Sequence, residues 1–432
     1  MNEAQNLSYQ ISCESPTSCI AKIVVASSVV EHVYRQAVIS QKKTVDAPGF
    51  AKGTAPYEYI SQILRPTLLD HVQEFLLNYC VLNELYAALR TEKIVMAGMP
   101  RLTAVDLDHT GPGTYTFEIT RIADMSSIDW HYLPFKAPRR KNYKDLDRQV
   151  ESFIKEEKDR LKITQGNDIA VGDWVSFDVS LAHSDPQNYH EMPRESFWIK
   201  VGEEDVDEPF RNLLIGKKAG ETFISDSSAL QEYFSSQLTT NYQFHLTIQD
   251  TIKHSFFCLE QFKKHFKIKT NKELEQKLIE VFSYRNDISL RRSMAEESLK
   301  LITQKHRFEV PHHLLLRQQE LLLDQVQHNP DYHVYRVQKD FGLRIRQLAE
   351  KQVKEIILID HLAYHEHISI TDQEVKGYLN LLQRPRTKEF IYFHPPVTKR
   401  NGQEIPIAAN IIKQTCLREK TLNHVIHHLT RQ

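Results

Sequence analysis

The stretch Asp46–Pro56, DAPGFAKGTAP, decides how the rest of the chain is read. The chain has only 13 glycines in 432 residues, yet two of them, Gly49 and Gly53, bracket a phenylalanine with no periodic apolar neighbours to bury it. Glycine frees the backbone for left-handed turns, and Pro48 and Pro56 stiffen the ends, so the loop is built to present Phe50. Upstream, the β-branched run IAKIVVA (20–26) reads as a strand. Ser28 with Glu31 then predicts a capping box that opens a helix, in which Val29, Val33, Ala37 and Val30, Tyr34, Val38 recur at helical spacing. Downstream, one long helix is expected from about Arg65 to Arg90, with Leu69, Val72, Leu76, Tyr79 and Leu82 on one side, followed by a strand at YTFEITRI (115–122). The loop therefore joins two helices of a mixed α/β head.

Composition bounds the remainder. A chain of 432 residues exceeds one ordinary core, and 41% hydrophobic residues suffice to fold two to four domains. Scarce glycine combined with abundant Leu, Glu, Lys and Gln favours helix. A formal charge of -1 excludes a protein that coats nucleic acid through bulk positive charge, leaving only local basic patches. Cys13, Cys19, Cys80, Cys258 and Cys416 are odd in number and form no CxxC pair, so neither a disulfide framework nor a cysteine zinc site is expected. The N-terminus MNEAQNLSYQ is polar and no uncharged run approaches the ~18 residues of a membrane span. The expectation is a soluble, cytoplasmic protein without a membrane partner.

Between Asp124 and Asn142 the chain is rich in proline, aromatics and base, as suits an extended linker, and Lys144–Leu161 reads as a charged helix. From about Ile169 to Thr251 alternating runs (WVSFDVSLA, ESFWIKVG, ETFISDS, YQFHLTIQDTI) predict a small antiparallel sheet. Thr270 and Glu273 form a second capping box, and further helices are expected at 312–328, 338–366, 371–383 and 405–429. The fold class is thus α+β and multidomain, with an α/β head, an inserted β domain and a mostly helical C-terminal part. The expected divisions are 1–123, 124–162, 163–253 and 254–432.

This order of parts resembles bacterial trigger factor, the ribosome-associated chaperone. The family's loop G-F-R-x-G-K-x-P meets Gly49-Phe50-Ala51-Lys52-Gly53-Thr54-Ala55-Pro56 here, and IVMAGMP (94–100), GKKAGETF (216–223) and AEKQVKEIILIDHLAYHEHISITDQEV (349–375) follow in family order. The resemblance implies a chaperone that docks at the ribosomal exit tunnel through Gly49, Phe50, Ala51, Lys52 and Gly53, on a ribosomal protein and adjacent rRNA. It also implies shelter for nascent and unfolded polypeptides, with roles in folding and export, no cofactor, and a homodimer away from the ribosome. Two of the loop's family cations are replaced here, by Ala51 and Thr54.

The middle domain resembles an FKBP-type peptidyl-prolyl isomerase. Such a site twists the imide by desolvating it in an aromatic cup, and the resemblance assigns that cup to Phe197, Phe210, Tyr233 and Phe244. This sequence departs from the pattern at Val179-Ser180-Leu181 and at Asp207-Glu208-Pro209-Phe210, where the family has Ile-Pro-Gly-Phe. Asp207 is expected to put a carboxylate on an otherwise apolar wall, which disfavours a prolyl ring. Ala51 and Thr54 leave room for a ribosome-independent holdase as an alternative, and a client-specific prolyl isomerase is another.

Client shelter needs no catalytic residue, only apolar helix faces; Leu314–Leu316, Leu321–Leu323 and Ile356–Leu362 are candidates, most of them expected in helix packing. His361 with His365 and His424 with His428 stand at i, i+4, but without an HExxH or a completing ligand set they read as packing or solvated histidines, so no metal is expected. No P-loop, GxGxxG or GxSxG is present, which excludes nucleotide-driven function. Arg139-Arg140-Lys141 reads as a solvated linker cluster.

Overall fold

Two strands, β1 (Leu7–Ser15) and β2 (Ser18–Val25), open the chain as an antiparallel hairpin. They belong to a computed structural model that describes residues 6–122, 130–136, 155, 167–182, 192–235, 238–253, 263, 267–274, 276, 288–327, 331–383, 391–395, 398–400 and 402–430. Arg139–Lys141, Cys258 and nearly all of Lys144–Leu161 lie outside the described residues. The hairpin sets Cys13 across from Cys19, and the two form a disulfide with Cα atoms 4.0 Å apart. This corrects the expectation of no disulfide. The strand LSYQISCES is mostly exposed and lacks an apolar alternation, so nothing in its sequence showed that a tight turn would bring the two cysteines together.

Helix α1 (Ser27–Thr44) follows directly. Its N-cap is Ala26 and carries no side-chain bond, so the expected Ser28–Glu31 box does not form: the helix begins at Ser27, which places Ser28 inside its first turn. Next comes α2 (Tyr57–Ile63), then α3 (Arg65–Leu76) and α4 (Leu82–Thr91), which together cover the helix expected from about Arg65 to Arg90. Leu64, at φ -97° and ψ 11°, leaves helical geometry and separates α2 from α3, and Pro66 sits in the first turn of α3, where its missing amide has no helical partner to lose. A π-helical turn at Leu77–Val81 separates α3 from α4.

Strands β3 (Arg101–Asp106) and β4 (Gly113–Thr120) complete a four-stranded antiparallel sheet of order β1-β2-β4-β3. Register pairs Ala21 with Phe117 and Ile23 with Tyr115, all four buried, on the face that carries the head's core. Val29, Val30, Val33, Ala37 and Val38 of α1 are fully buried, each valine contributing ~1.5–3 kcal/mol over an exposed position.

The middle sheet is formed by β5 (Trp174–Leu181), β6 (Glu195–Lys200), β7 (Thr222–Ser225) and β8 (Phe244–Ile252), with helices α5 (Glu208–Leu214) and α6 (Ser228–Phe234) in the connections. Helices α7 (Ile288–Lys305), α8 (His312–Gln327), α9 (Tyr332–Tyr335), α10 (Phe341–His365) and α11 (Asp372–Gln383) follow. The expected Thr270–Glu273 box is present, with the Glu273 amide donating to Thr270 Oγ1 (3.2 Å) and the Thr270 amide to Glu273 Oε2 (3.1 Å). A second, between Thr371 and Glu374, opens α11.

After α11 the chain forms β9 (Lys399–Arg400), β10 (Gln403–Glu404) and β11 (Ile407–Ala408), then α12 (Ala409–Leu429). A helix from 405 was expected; pairing of Ile407 and Ala408 with β6 holds them extended, and the helix begins at Ala409. Strand β11 joins the middle sheet, whose order is β11-β6-β5-β8-β7, all neighbours antiparallel.

The chain divides into two units. One comprises Met1–Phe135, Glu297–Ser369 and Leu417–Gln432; the other comprises Lys136–Glu296 and Ile370–Cys416. In the first, α8 and α10 pair along Leu315, Leu322, Ile345 and Ala349, while Leu314, Val353 and Ile357 pack with Val95 and Ala97. In the second, Trp174, Trp198 and Ile252 of the sheet pack with Tyr378 and Leu379 of α11 and with Ile407 and Ile412. No described helix is long and apolar enough to cross a membrane.

Candidate functional site

The glycine loop stands between α1 and α2. Gly49 (φ 87°) and Gly53 (φ 82°) both occupy the left-handed region, where a side chain is strained, and open space surrounds each. Two turns close the loop, through Phe50 N–H to Ala47 O (3.1 Å) and Thr54 N–H to Ala51 O (3.0 Å). Thr54 Oγ1 also donates to Ala51 O at 2.7 Å, so the residue that replaces the family cation rigidifies the turn from within. Tyr59 of α2 supports the loop from below, its hydroxyl donating to Pro48 O (3.2 Å) and its ring meeting Phe50 edge-on at 4.9 Å.

Every residue from Pro48 to Thr54 is exposed, Phe50 itself at 40%. An aromatic ring is thus held in water with its backbone fixed on both sides, beside the exposed Lys52 and behind Lys42 and Lys43 in the last turn of α1. Sequence reading named Phe50 and Lys52 but missed Tyr59, whose only signal was its place, after Tyr57, in the first turn of the next helix.

The residues assigned to a prolyl cup lie in the middle sheet. Cross-strand register places Phe177 opposite Phe197, Val179 opposite Leu246 and Leu181 opposite Phe244, so one sheet face carries them all. Phe197 meets Tyr233 at 6.0 Å and Phe234 at 5.7 Å, and Phe234 reaches Phe244 at 5.6 Å. Three of the four assigned residues therefore join one aromatic cluster through Phe234, which the sequence match passed over in favour of its neighbour; Phe210 is buried on α5. Phe197, Phe210 and Phe244 are all buried, and burial pushes the Tyr233 hydroxyl well above its ordinary pKa.

Gln231 locks α6 to the strand entry, donating through Nε2 to Tyr242 O (2.7 Å) and accepting from Tyr242 N–H (3.0 Å). A cavity of about 660 Å³, lined by Ser180, Met192, Arg194, Thr222, Phe223, Ile224 and His245, lies on the opposite face, because Ser180 and His245 pair across the strands and alternate with the cluster residues. Burial, together with the Arg194 charge, lowers the His245 pKa.

Asp207 is buried, and its carboxylate does not face a prolyl ring as a free wall group. Its Oδ1 accepts the Glu404 backbone N–H at 2.7 Å. Arg211 of α5 secures the preceding turn, donating through Nη1 to the carbonyls of Glu203 (2.9 Å) and Glu204 (3.0 Å).

In the helical part of the first unit the leucine candidates divide by face. Leu314, Leu315 and Leu322 are buried, as are Ile357–Ile359 and Leu362, whereas Leu316, Leu321, Val334, Tyr335, Val337, Leu343 and Leu348 are exposed. Val337 at 74% and Val334 at 62% mark the turn between α8 and α10 as the most exposed apolar stretch. Of the histidine pairs, His424 and His428 pack their rings on the buried Trp130 at 5.7 and 4.9 Å, and Trp130 Nε1 donates to Glu366 (3.0 Å). Burial lowers the His361 pKa to about 4. Among the described residues no group of three or more His, Cys, Asp or Glu is arranged to hold a metal.

Residues 8–157 match the family model of the bacterial trigger factor protein, and residues 270–384 match that of its C-terminus. The trigger factor of Geotalea daltonii is 23% identical over 399 residues, covering 88% of this chain and 89% of its own. That of Syntrophotalea carbinolica is 23% identical over 357 residues, 78% of each chain. A solved structure described as "Promiscuous Substrate Recognition in Folding and Assembly Activities of the Trigger Factor Chaperone" is 15% identical and covers 97% of this chain at a TM-score of 0.35. With two models of one family matching more than half of its length between them, the chain belongs to the trigger factor family.

Proposed function

We propose that this protein is an ATP-independent chaperone that docks beside the ribosomal exit tunnel and shelters emerging polypeptides. The observation that carries this reading is the loop Pro48–Thr54: Phe50 is exposed, edge-braced by Tyr59, and flanked by two left-handed glycines at which a Cβ would meet only open space. Such a preformed aromatic anchor loses little conformational freedom on docking. Lys42, Lys43 and Lys52 supply local positive charge toward a ribosomal surface, on a chain whose net charge is only -1. The exposed apolar residues between α8 and α10 supply the surface for unfolded clients.

Co-sedimentation with ribosomes, together with suppression of aggregation of an unfolded client, tests the reading; failure of both refutes it. A ribosome-independent holdase instead predicts client protection that survives Phe50→Ala together with no ribosome binding by the wild type. The cytoplasm is the compartment this function implies, and there the Cys13–Cys19 pair meets a reducing thiol pool.

Prolyl isomerisation is a second reading, favoured by the cluster of Phe197, Tyr233, Phe234 and Phe244 on one sheet face. Acceleration of a proline-limited refolding reaction by the full chain supports it. No acceleration at micromolar protein rules it out.

A further inference from the structure

Strand β6 would be an edge of the middle sheet were it not for the chain's own residues 407–408. Ile407 pairs with Trp198 and Ala408 with Phe197, antiparallel. The register assigns faces. Ile407 shares the Trp198 face and joins its apolar cluster, whereas Ala408 lies on the Phe197 face, the face of the aromatic cluster. The same alternation carried two residues back puts Pro406, which is buried, on the Phe197 face as well. The chain thus lays Ile407 and Ala408, directly after Pro406, along the edge next to the residues assigned to prolyl binding.

The segment is latched at its start. Asp207, the last residue before α5 and its Glu208-Pro209-Phe210 turn, accepts the Glu404 N–H at 2.7 Å in a buried bond. Lys399 reaches both Glu204 (3.2 Å) and Glu404 (3.6 Å). The second Asp207 oxygen is buried without a hydrogen-bond partner, and a Cβ on Gly202 would lie 1.8 Å from it. Gly202 is therefore needed for the latch: any side chain there displaces the carboxylate that holds Glu404. The departure from the family's Ile-Pro-Gly-Phe is accounted for by this bond, because an apolar residue at position 207 could not accept it.

We propose that the β6 edge is a binding site for extended polypeptide of apolar-Pro-apolar sequence, and that residues 402–408 are an intramolecular strap occupying it as a stand-in. Main-chain pairing to an open edge supplies the general affinity, and the apolar residues on either face supply selectivity. Proline suits the segment because it gives up only an amide that an edge position need not donate. A client segment enters when the strap lets go. This inference concerns the middle sheet and does not rest on ribosome docking.

The test uses the full chain and a fluorescein-labelled peptide of sequence IPIAA, which lacks the residue latched by Asp207, with fluorescence anisotropy reading binding and hydrogen exchange reading the amides of Gln403–Ile405, Ile407 and Ala408. Asp207→Ala and Gly202→Ala, each made separately and checked for native near-UV circular dichroism, are expected to speed exchange at 403–408 and to tighten peptide binding at least tenfold. A control peptide with aspartate in place of its second isoleucine is expected to lose that binding. In the wild type, which needs no refolded variant, millimolar peptide is expected to raise exchange at Ile407 and Ala408 by competing for the edge. Faster strap exchange without tighter peptide binding overturns the proposal. So does strap exchange that neither variant nor peptide changes.

Discussion

The buried ion pair between Arg418 of α12 and Asp360 of α10 gives the sharpest test of how the first unit is held together. Arg418 Nε and Nη2 donate to the two carboxylate oxygens at 2.9 and 2.7 Å, and Asp360 is only 1% exposed. At an effective dielectric near 20, two unit charges ~4 Å apart attract by about 4 kcal/mol. Removing one partner strands the other charge in the interior, a loss of about 3–5 kcal/mol. Asp360→Asn changes shape least and leaves the part-buried guanidinium, 17% exposed, without its carboxylate beside Tyr86 and Tyr364.

Hydrogen exchange across 417–429 reads the effect locally, since these residues carry His424 and His428 against Trp130. At 1.4 kcal/mol per tenfold, protection there is expected to fall by about 100-fold or more. The double variant Asp360→Leu with Arg418→Met, which removes both charges and keeps the volume, is expected to stay within about tenfold of wild type. Protection in Asp360→Asn within about threefold of wild type would refute the reasoning, because it would mean that water reaching the part-buried guanidinium replaces the lost carboxylate.

Three further outcomes follow from the geometry. Gly53→Ala meets no atom but must adopt φ near 82°, so it is expected to weaken ribosome co-sedimentation and to lower stability against urea by about 1–2 kcal/mol at most. His71 is buried and desolvation lowers its pKa to about 4 from an ordinary 6.5; the native state refuses a proton that the unfolded chain takes, so its contribution is intact above pH 6.5 and declines toward pH 4. The loss reaches about 3 kcal/mol at pH 4 and is expected to be absent from the urea-unfolding pH profile of His71→Gln. Cys13→Ser opens a bridge between cysteines six residues apart, and amide exchange along β1 is expected to rise in it and in the reduced wild type to the same level, consistent with about 2 kcal/mol for so short a loop.

Much of the head was legible because its signals are local. The β-branched run became β2, the helical repeat of Val29 to Val38 became the buried face of α1, and the glycine loop emerged exposed between two helices as its composition required. The Thr270–Glu273 box formed because both partners lie within one turn. The unread features depend on distant residues or on patterns without apolar periodicity. Strands β1 and β3 are largely exposed and alternate nothing that a hydrophobic count can see.

The π turn at Leu77–Val81 leaves the helical spacing of Val72, Leu76 and Tyr79 looking continuous. Asp207 looked like a charged wall group because its partner, the Glu404 amide, lies 197 residues away in sequence. The same distance hid β11, whose two residues are a strand only because β6 is there to pair with them. For the aromatic cluster, matching one residue per family position found Tyr233 and overlooked Phe234, which connects Phe197 to Phe244.

The central claim is that Phe50 is a presented anchor and not a packing residue. Co-sedimentation of wild-type protein and Phe50→Ala with ribosomes from the same source, at matched salt, tests it most directly. Phe50 is exposed, so truncation is expected to leave folding unchanged, while the lost burial of one aromatic at the docked surface, about 1.5–3 kcal/mol, weakens binding by about 10- to 150-fold. Equal co-sedimentation of wild type and variant would contradict the account.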